Sequence, residues 1–328
     1  MALLTNLAFF IISCLVLVAS GAFVVRSLLK ISAFLRLSEF VVGFIVMALS
    51  TTLPELFVGI NSALSKNSAL SLGNVIGSNI VNLSLIGGIA IVVAGKVVCK
   101  AKEIKKDAIY MVVLALIPIV LMYLGNSLSR VDGAILISIF VVFGVRIYAK
   151  RKIPAKEEKD SISRLSAIIS TVIFVVGVIA LFLSSRYVVK YGISLALGLA
   201  LPPIFIGLFF VAIGTSLPEL VFSVRAMKTG HSGFALGDLI GAVMVNSTLV
   251  LGITALIYPI TANFFLFLSS AVFMVVTAFI FMTFIESGQG LTTTEGIALI
   301  FLYILFIIIE LSLAGVVPSA AIIPQSLP

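Results

Sequence analysis

Ala48-Leu-Ser-Thr-Thr-Leu-Pro-Glu55 returns 164 positions later as Ala212-Ile-Gly-Thr-Ser-Leu-Pro-Glu219, and 164 is half of the 328 residues. The register then holds without a gap. Gly43 meets Gly207, Leu72-Gly73 meets Leu236-Gly237, Ile76-Gly77 meets Ile240-Gly241, and Val81-Asn82 meets Val245-Asn246. Residues 43–89 carry 17 identities in 47 positions at this one offset. Apolar bias would align Leu, Ile and Val, but not Pro, Glu, Asn and several Gly. The chain is an internal duplication.

Hydrophobic residues make up 61% of the chain and charged residues 10%, and mean hydropathy is +1.31. Soluble domains have roughly 45–50% apolar and about 25% charged residues, so the composition is that of an integral membrane protein. Ten apolar runs approach the roughly 20 helical residues that cross a bilayer: 6–28, 39–64, 70–95, 108–125, 131–149, 163–188, 202–227, 233–257, 262–284 and 294–314. Residues 1–149 form the first five-helix repeat, 150–162 a cytoplasmic linker, and 163–328 the second repeat with an apolar tail. Five spans is an odd number, so the second repeat enters the membrane from the opposite face. The expected fold is an all-α polytopic membrane protein: ten transmembrane helices in two inverted five-helix repeats, with broken helices at the midplane. The connections are too short to hold a soluble catalytic module. The chain is therefore read as no enzyme, with no cofactor apart from transported ions.

The net charge of +8 is a matter of topology. With ten spans, the connections after odd-numbered helices hold 17 of the 21 Lys and Arg, leaving Lys66, Arg130, Arg186 and Lys190 on the other side. The positive-inside rule puts the 17 in the cytoplasm and both termini outside the cell (plasma) membrane. A nucleic-acid role is thereby disfavoured, and no obligate protein partner is evident. Residues 1–6 lack Lys and Arg, so the first run reads as a helix and not as a signal peptide. Cys14 lies within that run and Cys99 in a cytoplasmic loop, so no disulfide is expected.

Glu55 and Glu219 stand near the middle of apolar spans, with no Lys, Arg or His at comparable depth. A carboxylate there faces a partner or a wet cavity. Pro54 and Pro218 interrupt the helix, at Ser50 and Gly214, and carbonyls around Ala48, Thr51, Ala212 and Thr215 are expected to lose helical partners. Thr51 and Thr215 each precede the glutamate by four residues and share its face. In the next helix Asn74, Ser78 and Asn82 form a polar face, answered by Asp238, Ala242 and Asn246. Gly73, Gly77, Gly237 and Gly241 read as close-packing positions. These donors are hard oxygens, suited to calcium or sodium. The single His, His231, falls at a loop. Asp238 has two readings: it reaches the ion path, or it is a charge near the helix start at the membrane surface.

At these residues the chain resembles the cation/calcium exchanger superfamily, and within it the short prokaryotic sodium/calcium exchangers. The matching motifs are Ser50-Thr-Thr-Leu-Pro-Glu55 with Gly73-Asn-Val-Ile-Gly-Ser-Asn79, and Gly214-Thr-Ser-Leu-Pro-Glu219 with Gly237-Asp-Leu-Ile-Gly-Ala-Val243. The resemblance implies a calcium site at Glu55, Glu219, Thr51 and Thr215. It implies flanking sodium sites at Ala48, Ala212, Thr52, Ser216, Ser78, Asn82 and Asn246. Ala242 stands where the family has a serine, and Asp238 where it has an asparagine. The implied function is secondary antiport of calcium against sodium by alternating access, with the lipid bilayer as the only other partner. A proton-coupled or potassium-dependent exchanger is the alternative. A cation channel fits less well, because channels more often place a filter on an oligomer axis.

Overall fold

The computed structural model describes residues 2–34, 47–97, 102–150, 163–262, 264–287 and 290–314. It is mostly helical, as an apolar chain must be when no water is at hand to satisfy its backbone. After α1 (Ala2–Phe34) comes a broken helix, α2 (Met47–Thr51) and α3 (Leu53–Leu64). Then α4 (Ser68–Val81) runs into α5 (Gly87–Ala94) through a π-helical turn at Asn82–Ile86. α6 (Lys102–Gly125) and α7 (Arg130–Lys150) follow. α8 (Arg164–Gly198) leads to α9 (Pro203–Phe205), a π-helical turn at Ile206–Val211, α10 (Ala212–Thr215) and α11 (Leu217–Lys228). α12 (Ser232–Val245), a π-helical turn at Asn246–Val250, α13 (Leu251–Ile257), α14 (Phe264–Glu286) and α15 (Thr293–Ala314) complete the order. Among the described residues seven helical stretches are long and apolar enough to cross a membrane, and Pro203–Thr215 joins Leu217–Lys228 at a 42° bend.

The duplication is visible in the element bounds. α11 repeats α3, α12 repeats α4, and the turn at Asn246–Val250 repeats that at Asn82–Ile86, each displaced by 164 at both ends. The local causes repeat too. Pro54 and Pro218 sit in the first turns of α3 and α11, where a missing N–H is harmless, and the helix is interrupted at Thr52 (φ −83°, ψ 1°) and Ser216 (φ −85°, ψ 4°). The two π-helical turns at Asn82–Ile86 and Asn246–Val250 are each accompanied by a hydroxyl: Ser84 donates to the Ile80 carbonyl, and Thr248 to the Met244 carbonyl at 2.6 Å. The turn after α3 uses Lys66 at φ 56°, and the matching turn after α11 uses Gly230 at φ 80°, where glycine meets no steric penalty.

Some expected bounds are too short. α8 continues ten residues past 188, through Lys190, and α6 begins at Lys102 and not at 108. An apolar window stops at the first charge, whereas long basic side chains can follow an apolar surface and put only their heads in water. The all-α expectation also needs a small correction. β1 (Lys96–Val97) and β2 (Leu291–Thr292) form a two-residue antiparallel ribbon, with Lys96 opposite Thr292. A second loop pair, Leu128 and Ile260, exchanges both backbone hydrogen bonds, at 2.9 and 3.0 Å. Residues 39–46 of the second expected span, residues 151–162 of the linker, Cys99 and the apolar tail lie outside the described residues.

Glycines let the helices cross closely. A Cβ at Gly73 would strike the Ile204 carbonyl, one at Gly77 the Leu208 carbonyl, and one at Gly207 the Leu70 carbonyl. Two further crossings tie the halves together. Gly88 in α5 faces Gly296 in α15, and Gly252 in α13 faces Gly133 in α7; Gly252 is the counterpart of Gly88 at the same offset. Small residues at such contacts are how helices associate in lipid, where no hydrophobic force drives them together.

Overpacking one of these crossings tests their rigidity. Gly77→Val should destabilise the protein by about 1–3 kcal/mol, read as a lower unfolding midpoint in detergent. Gly144→Ala, where a Cβ meets nothing within 4 Å, should not lower the midpoint. Equal midpoints for both variants would contradict the packing described.

Candidate functional site

The two interrupted helices and the two glycine-bearing helices that cross them converge on one polar centre. Glu55 and Glu219 occupy the first turns of α3 and α11. Both are 0% exposed, as are Asp238, Asn74, Ser78, Asn82, Ser216 and Asn246. Among the described residues no Lys, Arg or His is buried with them.

Hydrogen bonds weave the two halves together here. The Thr51 hydroxyl donates to Asp238 Oδ1 at 3.1 Å, and the Thr215 hydroxyl donates to Asn74 Oδ1 at 3.1 Å. These are the same contact made twice, since Thr215 corresponds to Thr51 and Asp238 to Asn74 in the repeat. Ser78 donates to Glu55 Oε1 at 3.3 Å and lies 3.2 Å from the Thr215 hydroxyl. Thr215 and Ser216 lie beside Glu55, and Thr51 beside Glu219, so each glutamate is met by the other half's motif. Glu219 is close enough to Glu55 and Asp238 to feel their charges.

Much of the polar surface at this centre is unused. Among the described residues Glu55 Oε2, both oxygens of Glu219, Asp238 Oδ2, both amide atoms of Asn82, Asn246 Oδ1 and the Ser216 hydroxyl meet no hydrogen-bond partner. A buried, unpaired carboxylate costs several kcal/mol. No three His, Cys, Asp or Glu side chains among the described residues gather tightly enough to hold a metal by themselves. Any ion here would have to draw on hydroxyl, amide and carbonyl oxygens as well.

The structure brings the expected residues to this region and corrects two points. The Ala48 and Ala212 carbonyls keep helical partners: Ala48 accepts from Thr52 N at 3.4 Å and from the Thr52 hydroxyl at 2.8 Å, and Ala212 from Ser216 N at 3.1 Å and the Thr215 hydroxyl at 3.3 Å. The reason is arithmetic. A proline deprives only the carbonyl four residues before it, which is Ser50 or Gly214, and the N–H groups of Thr52 and Ser216 precede the prolines. The surface reading of Asp238 is also overturned, because its carboxyl is sealed in the core and bonded to Thr51. Ala242, where the family pattern has serine, is buried and brings no side-chain oxygen. His231 stands at the start of α12 without a side-chain capping bond, exposed and 3.1 Å from the Thr229 hydroxyl.

Sequence reasoning missed the support beneath Asn246. Its Nδ2 donates to Asn79 Oδ1 at 3.1 Å, while Asn79 Nδ2 donates to the Ser247 hydroxyl at 3.1 Å and to Met274 Sδ at 3.3 Å. This fixes the Asn246 amide with its oxygen unspent. Asn79 lies in the quoted motif, but its counterpart is Val243, so the repeat gave no sign of it. Also missed was Glu310 in α15, whose Oε1 accepts from Ser269 at 3.0 Å and Ser270 at 2.9 Å.

The whole chain has known relatives. A family model described as sodium/calcium exchanger protein matches residues 5–149 and 169–311. The sodium/calcium exchanger MaX1 of Methanosarcina acetivorans is 27% identical over 93% of this chain and 98% of its own length. The inner membrane protein YrbG of Escherichia coli is 30% identical over 67% of this chain and 70% of its own length. Among solved structures, the sodium-calcium exchanger NCX_Mj soaked with sodium and no calcium superposes with a TM-score of 0.67 at 25% identity, over 93% of this chain and 99% of that one.

The Asn79 support is open to measurement. Asn79→Ala leaves a buried Asn246 donor without its acceptor, which should cost about 1–3 kcal/mol in thermal unfolding of the ion-free protein. An unfolding midpoint for Asn79→Ala equal to that of the parent would show that this contact does not hold the centre.

Proposed function

The chain belongs to the sodium/calcium exchanger protein family, and we propose that it is a secondary antiporter exchanging calcium for sodium across the membrane by alternating access. One observation carries this reading: a sealed centre of unpartnered carboxylate, amide and hydroxyl oxygens drawn from both halves, with no buried base among the described residues to pair them.

In this reading Glu55 and Glu219 hold calcium with the Thr51 and Thr215 oxygens, calcium taking 6–8 oxygen ligands in adaptable geometry. Sodium ions occupy positions flanking it, using Ser78, Asn82, Asn246, Thr52, Ser216, Asp238 and the Ala48 and Ala212 carbonyls. Those two carbonyls become ligands when the Thr52 and Thr215 hydroxyls rotate away from them. Calcium and sodium share the carboxylates, so one leaves as the other binds, and that exclusion is the basis of exchange.

The described helices are taken as ten spans in two inverted five-helix halves, 1–149 and 163–328. The two loop pairings support the alternation, because residues 96 and 291 both follow odd-numbered spans while 128 and 260 both follow even-numbered ones. The protein then sits in the cell membrane with both termini outside, as the positions of its Lys and Arg suggest.

Alternating access is assigned to α1 and α8. They pack along each other, with Gly177 of α8 against Ser20 and Val24 of α1. A Cβ built at Gly21 of α1 would lie 3.3 Å from both Pro54 and Pro218. The pair thus crosses both interrupted helices at once, and sliding it opens the centre to one side or the other.

Two tests follow from this assignment. Glu55→Gln or Glu219→Gln should weaken calcium binding at least about 30-fold, since removing one partner from a buried charged contact costs about 2–5 kcal/mol and 1.4 kcal/mol is tenfold. The ion-free variants should unfold no more easily than the parent, because an unpaired buried charge is gone; near-parental calcium exchange in vesicles would refute the site. Separately, cysteine pairs that lock both α1 and α8 to the core should stop exchange until reduced, and full activity with both locked would refute the sliding motion.

A further inference from the structure

We propose that Asp238 makes the centre trianionic, so that calcium crosses together with one monovalent cation and exchange against three sodium ions moves no net charge. The proposal rests on the antiporter reading above and adds to it the charge carried per cycle.

The repeat supplies its own control. Asn74 and Asp238 hold the same place in the two halves, and each accepts a threonine hydroxyl at the same 3.1 Å. An amide therefore serves the hydrogen bond as well as a carboxylate does. What Asp238 adds is a negative charge. The second atom of each group meets no partner among the described residues, but at Asn74 that atom is the donor Nδ2, which repels a cation, and at Asp238 it is the acceptor Oδ2, which holds one. The additional cation position is thus one-sided, and it lies where Asp238 and Glu219 feel each other's charge.

Three carboxylates, Glu55, Glu219 and Asp238, are 0% exposed, and four of their six oxygens accept no hydrogen bond among the described residues. The buried charged residues described include no base. A carrier whose centre passes through a sealed state in a low-dielectric membrane moves most readily when that centre is neutral, since each uncompensated buried charge is heavily penalised. Three sodium ions neutralise three carboxylates. Calcium alone leaves one negative charge, and a monovalent cation on Asp238 Oδ2 removes it. With an asparagine there, calcium would suffice, and three sodium ions would carry one charge in excess.

The test uses the full chain reconstituted into sodium-loaded vesicles with labelled calcium outside, under an imposed membrane potential. A cycle moving one net charge shifts the steady calcium gradient roughly fiftyfold per 100 mV. The parent protein should show no such shift, and calcium uptake should be accompanied one for one by labelled sodium, by rubidium in place of potassium, or by protons reported by a trapped dye. These three arms identify the co-ion. Asp238→Asn should gain the voltage dependence and lose the accompanying cation. A parent protein that exchanges calcium for sodium with a roughly fiftyfold shift, or with no accompanying cation, overturns the proposal while leaving the antiporter reading intact. Absence of any sodium-driven calcium uptake overturns both. The parent measurement decides the matter even if Asp238→Asn fails to insert.

Discussion

Bare carboxylate oxygens in an apolar interior are the constraint on which this structure depends. Glu55, Glu219 and Asp238 are fully enclosed, and none meets a basic side chain among the described residues. Left alone, such groups would be expelled or neutralised. They are held in place by the covalent framework and by Thr51 and Ser78, whose hydroxyls satisfy one oxygen of Asp238 and one of Glu55 and leave the others open. The interrupted helices bring the glutamates in, the glycines of the crossing helices let the backbones meet around them, and two π-helical turns place Asn82 and Asn246 at matching positions of the chain's two halves. π-Helical turns are frequent at functional positions. Here two of the three begin at an asparagine with unspent amide atoms.

The centre belongs to neither half. Each glutamate is approached by the other half's threonine, and Asn79 of the first half orients Asn246 of the second. Near-symmetry is what makes this work, because a duplicated sequence places the same donor in the same position twice. The departures from symmetry, Asp238 against Asn74, Ala242 against Ser78 and Val243 against Asn79, are where the two halves bring different chemistry to the centre.

Much of this was legible before any coordinates. Proline, glutamate and threonine at fixed spacing, given twice, located the interrupted helices and the carboxylates, because proline and buried charge have few tolerable environments. Helix ends were less legible: the charges of Arg186 and Lys190 look like a boundary, yet α8 carries them within its final turns. The Ala48 and Ala212 carbonyls were misjudged because a proline's effect was spread over a whole turn. Asp238 was undecidable from spacing, since one to two turns of helix can lie at the surface or under a crossing neighbour. The Asn79 support and the Ser269, Ser270 and Glu310 cluster were invisible, since they join residues over 40 to 195 positions with no repeat to announce them.

The paired crossings of Gly88 with Gly296 and Gly252 with Gly133 have a consequence for how the protein is made. α5, synthesised early, finds its packing partner in α15, the last helix described, while α7 waits for α13. Neither half can reach its final packing while the ribosome still holds the other. The first half must therefore stay in the membrane with close-contact glycine faces uncovered until nearly the whole chain has been inserted. Its biogenesis ends in a single late docking step, and it is there, more than in the helices one by one, that the insertion machinery must guard the growing chain against wrong partners.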